Sequence, residues 1–145
     1  MARPMFWISE LLLLLCLCLL PALAQTKPYT PKPGSTERKA MMDALRIPVE
    51  RELKQKVIFE VQHLKVLKDW AFMRGRPLQT NSKPIDYKGT EHEEAIKEGA
   101  FDDGIAALLH RRSGKWTVTI HEIGATDVAW EDWDKRFKAP SAIFK

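Results

Sequence analysis

Val57, Phe59 and Val61 fall on one side of a run, residues 57–66, that carries β-branched and aromatic residues along its length, and period two of this kind predicts a strand. Lys68-Asp69 follows as a tight turn. Trp70-Ala-Phe-Met-Arg74 is then the antiparallel mate, expected to end at Gly75 and Pro77. A second hairpin is clearer still: residues 105–112, a Ser113-Gly114 turn, and residues 115–123, where Trp116, Val118 and Ile120 alternate with Lys115, Thr117, Thr119 and His121. Before the first strand the period lengthens, so that Ala40, Met41, Ala44 and Leu45 share a helical face. Ser35 or Thr36 caps this helix, Arg46 ends it, and Pro48 stops its regular continuation, with a further short turn over residues 48–53.

Between the hairpins, residues 79–89 read as a loop with room for an edge strand near 85–87. Thr90-Glu-His-Glu93 has the spacing of a capping box and opens a short helix over residues 91–98, closed by Gly99. After the last strand, Thr126 or Asp127 caps a helix on which Trp130, Trp133 and Phe137 share one face. Glu131/Lys135, Asp132/Arg136 and Asp134/Lys138 are acid-before-base pairs on its other faces. Such an apolar face packs onto the sheet, and Ile143 and Phe144 of the tail pack after it. The expected class is α+β: a curved antiparallel sheet of about four strands in two hairpins, with an N-terminal helix, a short middle helix and a C-terminal amphipathic helix.

The pattern of the first 24 residues is different. Arg3, an apolar stretch from Leu11 to Leu20, Pro21 and Ala22-Leu23-Ala24 have the order of a cleaved export signal, with cleavage expected between Ala24 and Gln25. Even counted from Met5, the apolar stretch is interrupted by Ser9 and Glu10 before Pro21 ends it, short of the roughly twenty apolar residues of a membrane span. Cys16 follows Leu15 instead of a small residue, so the lipoprotein pattern is not met. The mature chain is therefore expected in the periplasm or secreted, with no stable membrane span. Cys16 and Cys18 are the only cysteines, and both leave with the signal, which excludes a disulfide scaffold and thiol chemistry. Asn81 is followed by Ser-Lys, so no N-glycosylation acceptor exists, which favours a bacterial envelope. Residues 25–35 hold three prolines and a glycine and read as an extended, solvated tether, leaving 36–145 as one domain.

Removing Arg3 and Glu10 leaves 22 of the 23 Lys and Arg and 18 of the 19 Asp and Glu. The asymmetry matters more: residues 86–103 hold seven acids against Lys88 and Lys97, whereas residues 25–68 hold ten bases against five acids. A bipolar surface suits a charged partner. Export argues against nucleic acid.

Leu67-Lys-Asp-Trp-Ala-Phe-Met-Arg-Gly75 and Leu108-Leu-His-Arg-Arg-Ser-Gly-Lys-Trp-Thr-Val118 resemble the turn-Trp-Ala and Gly-Lys-Trp strand patterns of the cystatin-like superfold, which includes ketosteroid isomerase-like and nuclear-transport-factor-like domains. The resemblance covers residues 36–123 and implies fold more than function. Two departures count against a deep pocket: the N-terminal helical part is shorter than in the enzyme branch, and an extra helix follows the last strand. Gln62-His-Leu-Lys-Val66 lacks the valine spacing and the glycine of the inhibitory Gln-x-Val-x-Gly loop.

An isomerase or dehydratase in such a cone needs an inward carboxylate or histidine base with a tyrosine or protonated acid opposite. Asp102, Asp103, His63, His121 and Tyr87 are the groups available, although Asp102-Asp103-Gly104 before a strand also reads as a turn. His92, Glu91, Glu93, His121 and Glu122 are metal-ligand types, but their spacing matches no metal motif, so neither a metal nor another cofactor is expected. Trp70, Trp130 and Asp102 are the candidate contacts for a partner. The leading expectation is an exported, non-enzymatic domain that binds an envelope protein or a small ligand, with the small isomerase or dehydratase as the alternative.

Overall fold

The structure, a computed structural model, describes residues 26–145. The expected export signal lies outside the described residues. Four strands, β1 (Val57–Leu67), β2 (Trp70–Gln79), β3 (Ile105–Arg112) and β4 (Lys115–Ile123), form one antiparallel sheet in the order β1-β2-β3-β4. Three helices accompany it, α1 (Thr36–Leu53), α2 (Glu93–Lys97) and α3 (Trp133–Phe137), and the chain ends in a 3-10 turn, Ser141–Phe144. The α+β class is as expected. Among the described residues no helix is long and apolar enough to cross a membrane.

Local chemistry sets both hairpins. Ser113 (φ 49°) and Gly114 (φ 73°) both take positive φ, which matches a two-residue turn to the twist of β3 and β4. Strand β2 runs past Gly75 and Pro77 instead of ending there. It does so because β3 stops pairing at Gly75↔Ile105, so the missing N–H of Pro77 breaks no ladder on that side while β1 still pairs across at Phe59. A bulge between Val61 and His63 sits opposite Gly75, where a Cβ would lie 2.1 Å from the Glu60 carbonyl oxygen.

The sheet is apolar on both faces. Met41, Leu45, Val49 and Leu53 of α1 pack on one face against Leu64, Val66, Ala71, Met73, Ala107 and Leu109. The C-terminal segment covers the other, placing Trp133, Ala139 and Ile143 over Phe72 and Leu108. Pro48 lies inside a continuous α1. Burying Val49 and Leu53 beyond it holds the helix together where a break was expected.

Other boundaries also differ. Thr90 does not cap Glu93: its hydroxyl donates to the Tyr87 carbonyl (2.6 Å) and accepts the His92 N–H (3.3 Å), while the Glu93 carboxylate takes the Gly89 N–H (2.8 Å). Helix α2 is correspondingly only five residues long. Only an isolated bridge, Leu78↔Pro84, replaces the edge strand near 85–87. The C-terminal helix shrinks to α3, yet Trp130, Trp133 and Phe137 all join the same apolar cluster. Asp134 accepts the Ser141 hydroxyl at 2.6 Å, tying the first turn of α3 to the final 3-10 turn. The stretch expected as a solvated tether is docked instead, since Tyr29 exchanges both backbone hydrogen bonds with Val66 (2.9 and 2.8 Å) and its hydroxyl donates to Glu37.

Candidate functional site

Along β2, Phe72 and Arg74 are two residues apart and so face the same side of the sheet. Phe72 is covered by the C-terminal segment, whereas Arg74 lies where that cover thins. Here an open cleft of about 390 Å³ forms between the middle of β2, the start of β3, the end of β4 and the segment carrying Ala125 and Trp130. Its lining includes Arg74, Trp130, Gln62, Asp102, Glu122 and Asp127.

The Arg74 guanidinium lies over the Trp130 indole, 5.1 Å from its centroid, and Trp130 leans on Phe72 at 5.8 Å. A planar cation on an aromatic face is attractive in itself. It is nevertheless incompletely satisfied: Nε is buried and has no hydrogen-bond acceptor among the described residues. Arg74 also joins none of the ion pairs among them. The cleft therefore combines a desolvated, unpaired donor, an aromatic wall and carboxylates.

Asp102 keeps its place in this wall through turn chemistry. Its Oδ1 accepts the Gly104 N–H at 2.8 Å and its own N–H donates to the Gly124 carbonyl at 3.1 Å. Gly124 (φ 84°) leaves no room for a side chain, since a Cβ there would meet the Phe101 ring at 2.2 Å.

Of the residues expected to contact a partner, Asp102 and Trp130 thus come together in one cleft. Trp70 does not join them; it stacks on His110, with centroids 4.1 Å apart and planes 10° from parallel. Asp102 was also an acid–base candidate; the other four are held elsewhere. His63 Nε2 is 2.8 Å from the Ile143 carbonyl, and Asp103 is an exposed partner of Arg76 at 3.3 Å. His121 Nε2 is 2.6 Å from Glu52 Oε2. The Tyr87 hydroxyl is buried without a partner among the described residues, and burial, with Asp103 adding to it, pushes the phenol up to about 12. None of these four lines the cleft.

Two residues at the centre of these arrangements were not singled out by the sequence. Arg74 read only as the end of a strand, and Glu52 fell unremarked in the short turn expected over residues 48–53. Glu52 receives His92 on Oε1 (2.8 Å) and His121 on Oε2 (2.6 Å). Burial alone would raise its carboxyl, but the hydrogen bonds from His121 and His92 outweigh it and hold Glu52 below the ordinary glutamate value. Glu52 is 40 residues from His92 and 69 from His121, so no local motif joins them. Compared with family models, curated proteins and solved structures, the chain has no match.

Proposed function

We propose that this chain is an exported, periplasmic, non-enzymatic domain that binds a small ligand in the Arg74–Trp130 cleft. The observation that carries the reading is the half-buried Arg74, whose guanidinium Nε has lost water without gaining an acceptor among the described residues. Leaving such a donor unsatisfied costs about 1–3 kcal/mol, which a ligand bringing a carboxylate or carbonyl would recover. The part of the Trp130 indole left uncovered by Arg74 and Phe72 suits a flat or aliphatic ligand body. Asp102, Glu122 and Asp127 suit a cationic group at its other end. The ligand class is accordingly a small zwitterion, such as an amino acid or short peptide. The resemblance to the cystatin-like superfold belongs to the same proposal. Asp103 on Arg76 and His63 on the Ile143 carbonyl give the isomerase alternative no support.

The test is a panel of amino acids, dipeptides and their decarboxylated or deaminated analogues, followed by tryptophan fluorescence and thermal melting. At least one zwitterion should raise the melting temperature and perturb the fluorescence. Arg74→Met should abolish the response, and loss of the ligand's carboxylate should do the same. A panel without effect, or equal binding by the Arg74→Met chain, would sink the reading.

A further inference from the structure

Away from the cleft, three distant parts of the chain meet at one polar cluster. Glu52 stands in the last turn of α1, Glu91 and His92 lie just before α2, and His121 is on β4. One ligand atom each from Glu52, Glu91 and His92 lie within 4.8 Å of one another. The Glu52 and His92 side chains are only 19% and 13% exposed, so this is no loose surface pair, while Glu91 stays accessible from solvent.

The cluster is prepared in the manner of a ligand set. The His92 ring packs against Phe101 (centroids 5.4 Å apart) and Tyr87 (5.9 Å, edge-on), which touch each other at 4.7 Å, and its backbone N–H is bound to the Thr90 hydroxyl. Both the ring and its attachment are thereby held. The second oxygen of Glu52 is occupied by His121 at 2.6 Å. Outer-sphere bonds of this kind orient a ligating carboxylate.

We infer that Glu52, Glu91 and His92 form a binding site for one divalent transition-metal ion, Zn²⁺ by preference, with His121 as a positioning residue on Glu52. Mixed imidazole and carboxylate donors suit Zn²⁺, Co²⁺ and Ni²⁺ better than Ca²⁺ or Mg²⁺, which prefer all-oxygen sites. The 2.8 Å between Glu52 Oε1 and His92 Nε2 has only to open by about 0.5 Å to admit an ion with ligand bonds near 2.0–2.1 Å. On binding, the ion replaces the proton between these atoms, which passes to Nδ1 of His92 or to solvent. Three protein donors leave a fourth tetrahedral position for water. The site is independent of the cleft ligand.

Calorimetric titration of the untagged, chelator-treated chain with Zn²⁺, and visible absorption with Co²⁺, test the site. One equivalent should bind with a dissociation constant tighter than about 10 µM, with Co²⁺ bands of tetrahedral intensity. Glu91→Gln alters only an exposed side chain, so its expected tenfold or greater loss of affinity does not report unfolding. His92→Gln should lose binding and the Co²⁺ spectrum together, whereas His121→Gln should weaken binding less and shift the bands. His110→Ala, at the Trp70 stack, should bind as the parent does. Absence of stoichiometric binding, or affinity unchanged in both Glu91→Gln and His92→Gln, overturns the site.

Discussion

Tyr87 shows how a single hydroxyl can be both buried and idle. Its oxygen has no partner among the described residues, so Tyr87→Phe should leave stability unchanged or raise it by about 1 kcal/mol in urea denaturation. The same burial has a pH consequence. Tyr29, raised by burial and by its bond to Glu37, and Tyr87 both reach about 12. An unfolded tyrosine ionises near 10, so above that value the unfolded chain releases protons that the folded chain retains. Stability is then complete below pH about 10 and falls as pH rises towards about 12. Urea midpoints across that window should show the fall, and Tyr87→Phe should make it shallower.

Among the elements, α1 and β2 carry the informative irregularities. Pro48 interrupts the hydrogen-bond ladder of α1 without ending the helix, so Pro48→Ala should stabilise the fold by about 1 kcal/mol or more. Gly75 faces the Glu60 carbonyl at the bulge. Gly75→Ala should therefore cost about 3 kcal/mol, at the upper end of overpacking effects, and thermal melting of the two variants would show opposite signs. These positions also explain where reading the sequence stopped. Both hairpins were legible because Lys68-Asp69 and Ser113-Gly114 lie between strongly patterned strands. Pro48 and Pro77 misled because a proline acts through the neighbour it would disappoint, and that neighbour is set by tertiary pairing. The C-terminal segment was legible as a buried aromatic face but not as a short helix, since packing over Phe72 and Leu108 determines its path.

For the molecule as a whole, both faces of the sheet are packed: α1 covers one side and the C-terminal segment the centre of the other, leaving the cleft beside Arg74 open. Trp133, 1% exposed at the centre of the second layer, should cost about 3–5 kcal/mol when replaced by alanine, and the loss should appear as a lower urea midpoint together with dye binding to the uncovered face. The candidate sites are products of this scale. Asp102 and Trp130 were each expected from the sequence as contact residues, but Arg74 gains its unpaired state, and Glu52 its two histidines, only when elements far apart in sequence close on one another.

The docked segment around Tyr29 has a consequence for solubility. Arg46 and Glu50 occupy the carbonyl and the N–H of Val57 at one end of the β1 edge, and Tyr29 occupies Val66 near the other. A protease that trimmed the chain past Tyr29 would strip one of these guards and leave a row of backbone groups free to template another strand. Sedimentation of the trimmed protein should then reveal self-association that the longer chain lacks. Processing length, a property usually assigned to targeting, would here set how long the folded domain stays dispersed.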